Sequence, residues 1–203
     1  MRVSTLSTIC RLLIASTTPF IVGCAPSTLG VTIRYLPQYS AQPVPGAGSV
    51  QVAVQVDDAR SNKADIGTAA TVLRTWEITT TDNLAQAVRD AVQIELQDRG
   101  FKIGADSAQL MINLNGLEVE RRTGWIYENR AHALWMMQVR VMRKNGTVIY
   151  THEAAGEAGD PSIAADHSVG SAERVTNLAL QDCIQRLFAD PQFINALLNA
   201  GKP

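Results

Sequence analysis

Residues 130–150, RAHALWMMQVRVMRKNGTVIY, decide the predicted fold because they join a long alternating segment to a turn signal. Apolar side chains occupy every second position of the first part, namely Ala131, Ala133, Trp135, Met137, Val139 and Val141. A period of two is typical of a β-strand that buries one face and leaves the other polar. The segment therefore predicts a long strand in a sheet with one apolar face.

The turn signal lies at residues 144–147, KNGT. An Asn-Gly pair between two strands favours a two-residue type I′ turn. Such a turn pairs Val141 with Tyr150 and Arg143 with Val148. Because directly opposed residues share one face of a sheet, we expect Tyr150 and Val148 to lie on the buried face with Val141.

Three other segments are also predicted to contain strands. Valines alternate with other residues over 50–56, which indicates a half-buried strand. Over 110–119 the apolar positions change parity at Asn115-Gly116, and a β-bulge there would bring both halves to one face. Residues 61–80 are expected to form a loop followed by a strand, and a hairpin arm is an open alternative.

The first helix is predicted over about residues 83–99. Its apolar stripe, at a spacing of four residues, consists of Leu84, Val88, Val92 and Leu96. Asp82 is the expected N-cap, and Gly100 is expected just beyond the last turn, with Phe101 folding back on the helix.

The C-terminal part of the chain predicts two more helices. An amphipathic pattern begins near Ser171, and Asp190-Pro191 favours the start of a short final helix because Pro suits the first helical turn. Residues 156–168 are rich in Gly, Ala and Asp and are expected to form a loop.

These elements predict an α+β fold. We expect an antiparallel-rich sheet of about four strands, with two main helices packed on one face. The expected order is β-(β)-α-β-β-β-α, where the bracketed strand is the uncertain arm.

The first 24 residues have the features of a targeting signal. Arg2 and Arg11 are its only charges, and the apolar run at 12–23 is shorter than the about 20 residues that cross a bilayer. The run ends in Ile-Val-Gly-Cys at 21–24, which resembles a bacterial lipobox. The resemblance implies cleavage before Cys24 and acylation of its thiol and its new amino group. The alternative is an ordinary secretory signal with a chance cysteine.

The predicted organisation is a lipoprotein signal peptide at 1–23, a lipidated Cys24 with a Pro/Gly-rich tether over 24–48, and one periplasmic α+β domain over 49–203. Ala25 follows the cysteine where an aspartate would resemble an inner-membrane retention signal. This implies attachment to the outer membrane, facing the periplasm. The expected partners are the membrane, through the lipid, and an envelope protein or component.

Composition excludes several classes. The chain has 203 residues, 46% hydrophobic, 18% charged, with a net charge of −1, which argues against a disordered chain and against a nucleic-acid partner. Without the signal, 16 basic and 19 acidic side chains remain, a net charge of −3. Of three cysteines only Cys183 would stay free, and we expect a small buried side chain there rather than a reactive thiol.

The whole chain resembles the YajG-type family of bacterial lipoproteins. The matching pieces are Cys24, the strand at 50–56 with Asp57, Arg60 and Ile66-Gly67 after it, the helix end at 95–101, the strands at 110–114 and 137–141, and residues 190–194. The resemblance implies a small outer-membrane lipoprotein without an established catalytic activity. It supplies no active-site residues, and only Cys24 carries a role over.

No residue set in the sequence forms a recognisable active site or cofactor motif. His132, His152 and His167 are dispersed, whereas metal sites need clustered ligands. We therefore predict no enzyme, no cofactor and no metal.

Two groups are candidate partner contacts. Asp57, Asp58 and Arg60 end a strand, where the alternative is a loop ion pair. Trp125 and Tyr127 lie in an expected loop, where the alternative is burial.

The residues favour a membrane-anchored, non-catalytic interaction module of the cell envelope. The alternative function is a lipoprotein that binds a small ligand, a lipid or a cell-wall fragment, in an apolar pocket between sheet and helices. The charges of alternating sign at Glu118, Glu120, Arg121 and Arg122 are interpreted as a solvated sheet edge.

Overall fold

The long strand predicted above is one of eight in a mixed sheet, in a computed structural model that describes residues 28–37, 41–71, 74–105, 108–123, 130–160 and 170–201. The strands in these ranges are β1 (Thr28–Gly30), β2 (Gln51–Asp58), β3 (Asp65–Thr71), β4 (Thr75–Thr79), β5 (Lys102–Ile103), β6 (Ala108–Thr123), β7 (Arg130–Arg143) and β8 (Val148–Asp160). The helices are α1 (Leu84–Asp98), α2 (Gly170–Ala189) and α3 (Pro191–Ala200).

Strand β6 organises the sheet. Along one edge it pairs antiparallel with β7, which pairs antiparallel with β8. Along the other edge it pairs in parallel, first with β2 and then with β3. Strand β4 pairs antiparallel with β3, while β1 joins β4 and β5 joins β2 in parallel.

The α+β class is correct, but the prediction of about four antiparallel-rich strands is wrong. Four of the seven strand pairings in the described residues are parallel. Strands β1 and β5 have three and two residues and are too short to show a period. Parallel pairing joins segments far apart in sequence, so local alternation does not indicate it.

The predicted bulge in β6 is confirmed. The register with β7 shifts between Leu114 and Gly116, because β6 has one residue more than β7 between these two pairs. Leu110, Ile112 and Leu114 before the shift, and Leu117 and Val119 after it, are all buried. One extra residue therefore keeps both halves of a 16-residue strand against the helices.

Helix α1 is confirmed, with one change at its start. Asn83 caps it, accepting a hydrogen bond from the Gln86 N–H at 3.1 Å. The predicted cap, Asp82, instead accepts the Ile33 N–H at 2.6 Å. At the other end the helix closes as predicted, with Phe101 N–H bonded to the Leu96 carbonyl and Phe101 buried.

The β7–β8 turn differs from the prediction. Val141 pairs with Tyr150 as expected, but Val148 lies opposite Met142 and is 46% exposed. A type I′ turn needs positive φ at both central residues, and of this pair Gly146 alone has it, at +82°. A wider turn with Gly146 in the left-handed position shifts Val148 off the buried face.

Strand β8 continues to Asp160, so the loop predicted at 156–168 is wrong for its first five residues; residues 161–168 lie outside the described ranges. Gly156 explains the difference. A Cβ there would lie 2.2 Å from the Cys183 backbone nitrogen and 2.4 Å from the Ala179 carbonyl oxygen. The small residues of β8 are therefore where α2 approaches the sheet, rather than a loop.

Part of the predicted tether packs on the domain. Thr28–Gly30 pairs with β4, and Val31 and Ile33 are buried in the core. The Arg34 N–H donates to Asn177 Oδ1 of α2 at 2.9 Å, and the Tyr35 hydroxyl donates to the buried Glu95 of α1. We call residues 31–35 the strap, because hydrogen bonds fix them to both helices.

Residues 61–80 contain the β3–β4 hairpin, which is the alternative that the sequence left open beside a loop followed by a strand. The predictions for the C-terminal helices are confirmed, since α2 and α3 lie where helices were expected and Asp190 caps α3. Cys183 is free and fully buried, and burial raises the pKa of its thiol to about 12.

The Gly156 contact predicts a large asymmetry between two glycines of one strand. Gly156→Ala places a methyl group against the backbone of α2 and is expected to lower the free energy of unfolding by about 3 kcal/mol. Gly159→Ala, whose Cβ would meet its nearest atom at 3.8 Å, is the matched control and is expected to cost about 1 kcal/mol or less. Urea denaturation measures both, and equal losses would contradict this explanation of β8.

Candidate functional site

Three predicted site residues lie outside the described residues. These are Cys24, which precedes Thr28, and Trp125 and Tyr127, which lie between Thr123 and Arg130. The structure therefore shows only the described residues nearest to them in the chain, which are Thr28, Thr123 and Arg130. The other predicted contacts, Asp57, Asp58 and Arg60, are in place at the end of β2.

Asp58 and Arg60 form a bidentate ion pair. The Arg60 guanidinium donates to both carboxylate oxygens of Asp58 at 2.9 Å, and to the Lys63 carbonyl at 2.9 Å. Both side chains are largely buried, with 6% of Arg60 and 12% of Asp58 exposed. The pair holds the turn that leads from β2 to β3.

The Asp58 carboxylate is stabilised in its charged form. Burial raises its pKa, but the hydrogen bonds and positive charge of Arg60 outweigh burial and lower it overall. Asp57 lies apart on the opposite face of the strand, exposed, and accepts a hydrogen bond from Gln55 at 3.0 Å. Of this group Asp57 is the one that faces solvent.

Two open grooves lie side by side at the end of the sheet where β6 ends and β7 begins. One has a volume of about 480 Å³ between β3, β6 and β7, and the other about 470 Å³ between β6, β7 and β8. Glu120 and His132 line both grooves. They are directly opposed residues of β6 and β7, so the sheet register alone places them together.

Charges of both signs surround these two residues. Glu120 forms an ion pair with Arg122 at 2.6 Å and lies 4.0 Å from Arg130. His132 Nε2 lies 3.8 Å from the Glu157 carboxylate. This arrangement offers exposed donors and acceptors to a polar partner.

The strand pairings around the grooves correct the interpretation of this part of β6 as a solvated sheet edge. Strand β6 is paired on both edges at Glu120, so Glu120 is not on a sheet edge. Arg121, between the two polar positions Glu120 and Arg122, is 3% exposed, on the face that carries the core. The parity after the bulge was the signal that could have separated Arg121 from its neighbours.

In the described ranges, no three histidine, cysteine or acidic side chains are grouped closely enough to hold a metal ion. In the same ranges, no helix is long and apolar enough to cross a bilayer.

The sheet register shows where the chain enters the domain. Thr28 of β1 is level with Glu77, Thr68, Glu120, His132 and Gly159 on five successive strands. The start of β1, the end of β6, the start of β7 and both grooves are therefore at one end of the sheet. We call this the entry end.

Comparison with known proteins assigns the class. The sequence matches the Lipoprotein_16 family, described as uncharacterized lipoprotein, over residues 37–198, and the chain belongs to this lipoprotein family. No curated protein matches the sequence.

One solved structure shows the same fold. Protein XCC0632 from Xanthomonas campestris, of the DUF330 family, is 12% identical with a TM-score of 0.53, covering 83% of this chain and 96% of its own. A minor lipoprotein from Acinetobacter baumannii is 7% identical with a TM-score of 0.46, covering 72% and 93%. The first likeness supports the fold alone.

The Asp58–Arg60 pair predicts a loss of stability on truncation. Arg60→Ala leaves a largely buried carboxylate and the Lys63 carbonyl without their donor, and is expected to cost about 1–3 kcal/mol at pH 7. The exposed Arg74→Ala is the control and is expected to stay within about 0.5 kcal/mol of wild type. Chemical denaturation measures the difference.

The same pair predicts a pH dependence. Because the folded pKa of Asp58 is lowered, its contribution is present above the unfolded pKa of about 3.9 and is lost as the pH falls through the folded pKa. The stability gap between wild type and Asp58→Asn should therefore shrink as the pH is lowered from 7 to below 4. A gap that stays constant would contradict the pairing.

Proposed function

We propose that this protein is a membrane-anchored periplasmic lipoprotein that acts as a non-catalytic interaction module of the cell envelope. The observation that carries the proposal is the match to a lipoprotein family over residues 37–198, together with the lipobox-like end of the first segment at Cys24. In this proposal the lipid on Cys24 holds the protein at the periplasmic face of the outer membrane. The YajG-type resemblance supports the same class.

The anchor and the entry end are close together in the chain. Cys24 is four residues before Thr28, so the lipidated residue is at most about 14 Å from β1. The strap then fixes the chain to α1 through Tyr35 and to α2 through Arg34. In the proposed arrangement, the entry end with its two grooves faces the bilayer, and the domain cannot swing away on a long linker.

A non-catalytic role agrees with the chemistry of the grooves. Both are open to solvent, and in the described ranges neither groups three side chains that could hold a metal ion. The exposed carboxylates and guanidinium groups around Glu120 suit a charged partner surface, since complementary charges give specificity. We propose contact through this end, with Asp57, Trp125 and Tyr127 as further candidates.

The predicted alternative placed a ligand between sheet and helices. At Gly156, where β8 packs against α2, the backbones are too close for even a methyl group. Trp135 fills the neighbouring position with no exposed surface and donates to the Thr176 carbonyl at 2.9 Å. This part of the interior leaves no room for a lipid, which supports the interaction module over the alternative.

The anchor predicts a change in fractionation. Cys24→Ala removes the thiol that would carry lipid, and because two or more acyl chains give stable anchoring, the variant should leave the membrane fraction after a high-salt wash. Cys183→Ala is the matched control and should fractionate like wild type, since that thiol is buried. Retention of Cys24→Ala in washed membranes would contradict the lipid anchor.

The partner surface predicts site-specific crosslinking in cells. A photoreactive residue at Trp125, Tyr127 or Arg130 should give a discrete protein adduct, because Arg130 is at the entry end and the other two positions lie between Thr123 and Arg130 in sequence. Gln97, exposed on α1, is the control position and should give none. Absence of an adduct from all three test positions would contradict a protein partner at this end.

A further inference from the structure

A third groove lies at the other end of the sheet, between the β7–β8 hairpin and α3. Its volume is about 380 Å³, within the range of about 300–1,000 Å³ typical of ligand sites. One wall is a row of amide side chains on α3, formed by Gln192, Asn195 and Asn199. Their spacing of three and four residues puts them on one face of the helix.

The opposite wall is held rigidly. Tyr150 lines the groove, and its hydroxyl donates to Asp190 Oδ2 at 2.7 Å. Its ring packs against the buried Phe193, with ring centroids 5.6 Å apart. An aromatic ring fixed from two sides is preorganised for contact with a ligand.

Arg143 lines the same groove at the base of the hairpin. It is exposed, and among the described residues no carboxylate pairs with its guanidinium. An arginine in this position can hold a carboxylate through two parallel hydrogen bonds. The groove thus combines amides, one fixed aromatic ring and one positive charge that no described carboxylate pairs with.

The groove is distant from the proposed anchor. Arg143 is eleven residues along β7 from His132, which is level with Thr28, so the two ends are about 36 Å apart along the strand. On an outer-membrane anchor at Cys24 the groove would point away from the bilayer, into the space that holds the cell wall. This step rests on the proposed function, whereas the composition of the groove does not.

We propose that this groove binds the carboxylate-bearing amino-sugar polymer of the cell wall. Amide side chains both donate and accept hydrogen bonds, which matches the hydroxyl and N-acetyl groups of such a glycan. The Arg143 guanidinium matches its carboxylates, and Tyr150 offers the face of an aromatic ring. A lipid chain would need a mostly apolar lining, and three exposed amides and an arginine do not provide one.

The test is co-sedimentation of the detergent-solubilised full chain with purified cell-wall sacculi. Wild-type protein should pellet with the sacculi, and the double variant Arg143→Ala/Asn195→Ala should bind at least about tenfold more weakly, because it loses a charged and a neutral hydrogen-bonding group. Arg74→Ala/Gln97→Ala removes the same two side-chain types from exposed positions outside the groove and should bind like wild type.

A second arm tests the carboxylate without changing the protein. Sacculi whose carboxyl groups have been converted to amides should bind wild-type protein as weakly as intact sacculi bind Arg143→Ala. Failure of wild type to pellet, unchanged binding of the groove variant, or unchanged binding to amidated sacculi would overturn the proposal. These measurements do not depend on lipidation, so they can fail while the Cys24 fractionation succeeds, and the reverse.

Discussion

The fold depends on the bulge in β6. This strand is the only one in the described sheet that pairs with three others, and its 16 residues contribute to the core at both ends. Without the extra residue between Leu114 and Gly116, one half would turn its apolar side chains away from the helices. At the same place the second edge of β6 passes from β2 to β3, so one irregularity sets both the face and the neighbours.

The close contact of α2 with β8 depends on this arrangement. Leu117 lies opposite Trp135, and Trp135 lies opposite Gly156, so the largest and the smallest side chains of this row are neighbours. The tryptophan fills the space beneath α2 and bonds to its backbone, while the glycine admits the helix at backbone distance. The strap then bonds to α1 and α2, which joins the N-terminal segment to the same layer.

Local patterns in the sequence predicted the parts of the fold that local physics determines. The bulge, the buried face of β7, the end of α1 and the Val141–Tyr150 pair all follow from periodicity or from one glycine. The parallel strands and the strap do not, because their partners are distant in sequence. Asp82 shows the limit: its side chain suits an N-cap, but a backbone N–H 49 residues away in sequence takes its carboxylate.

The candidate sites were less predictable than the fold for the same reason. Glu120 and His132 are twelve residues apart in sequence and meet only through the β6–β7 register. Arg143 and the amides of α3 are brought together by packing of a helix on a hairpin that has a wider turn than the sequence indicated. Asp58 and Arg60, by contrast, are two residues apart in sequence, and they form an ion pair that holds the turn from β2 to β3.

The two ends of the sheet differ in chemistry because different strands reach them. Five strands are level with Thr28, and their polar faces crowd charges of both signs around Glu120. At the hairpin end α3 covers the sheet and supplies uncharged amides, leaving Arg143 without a counter-ion in the described ranges. An anchor at Cys24, four residues before Thr28, would assign these two surfaces to different surroundings. In the proposed arrangement, the long strands would separate a membrane-facing surface from a wall-facing surface.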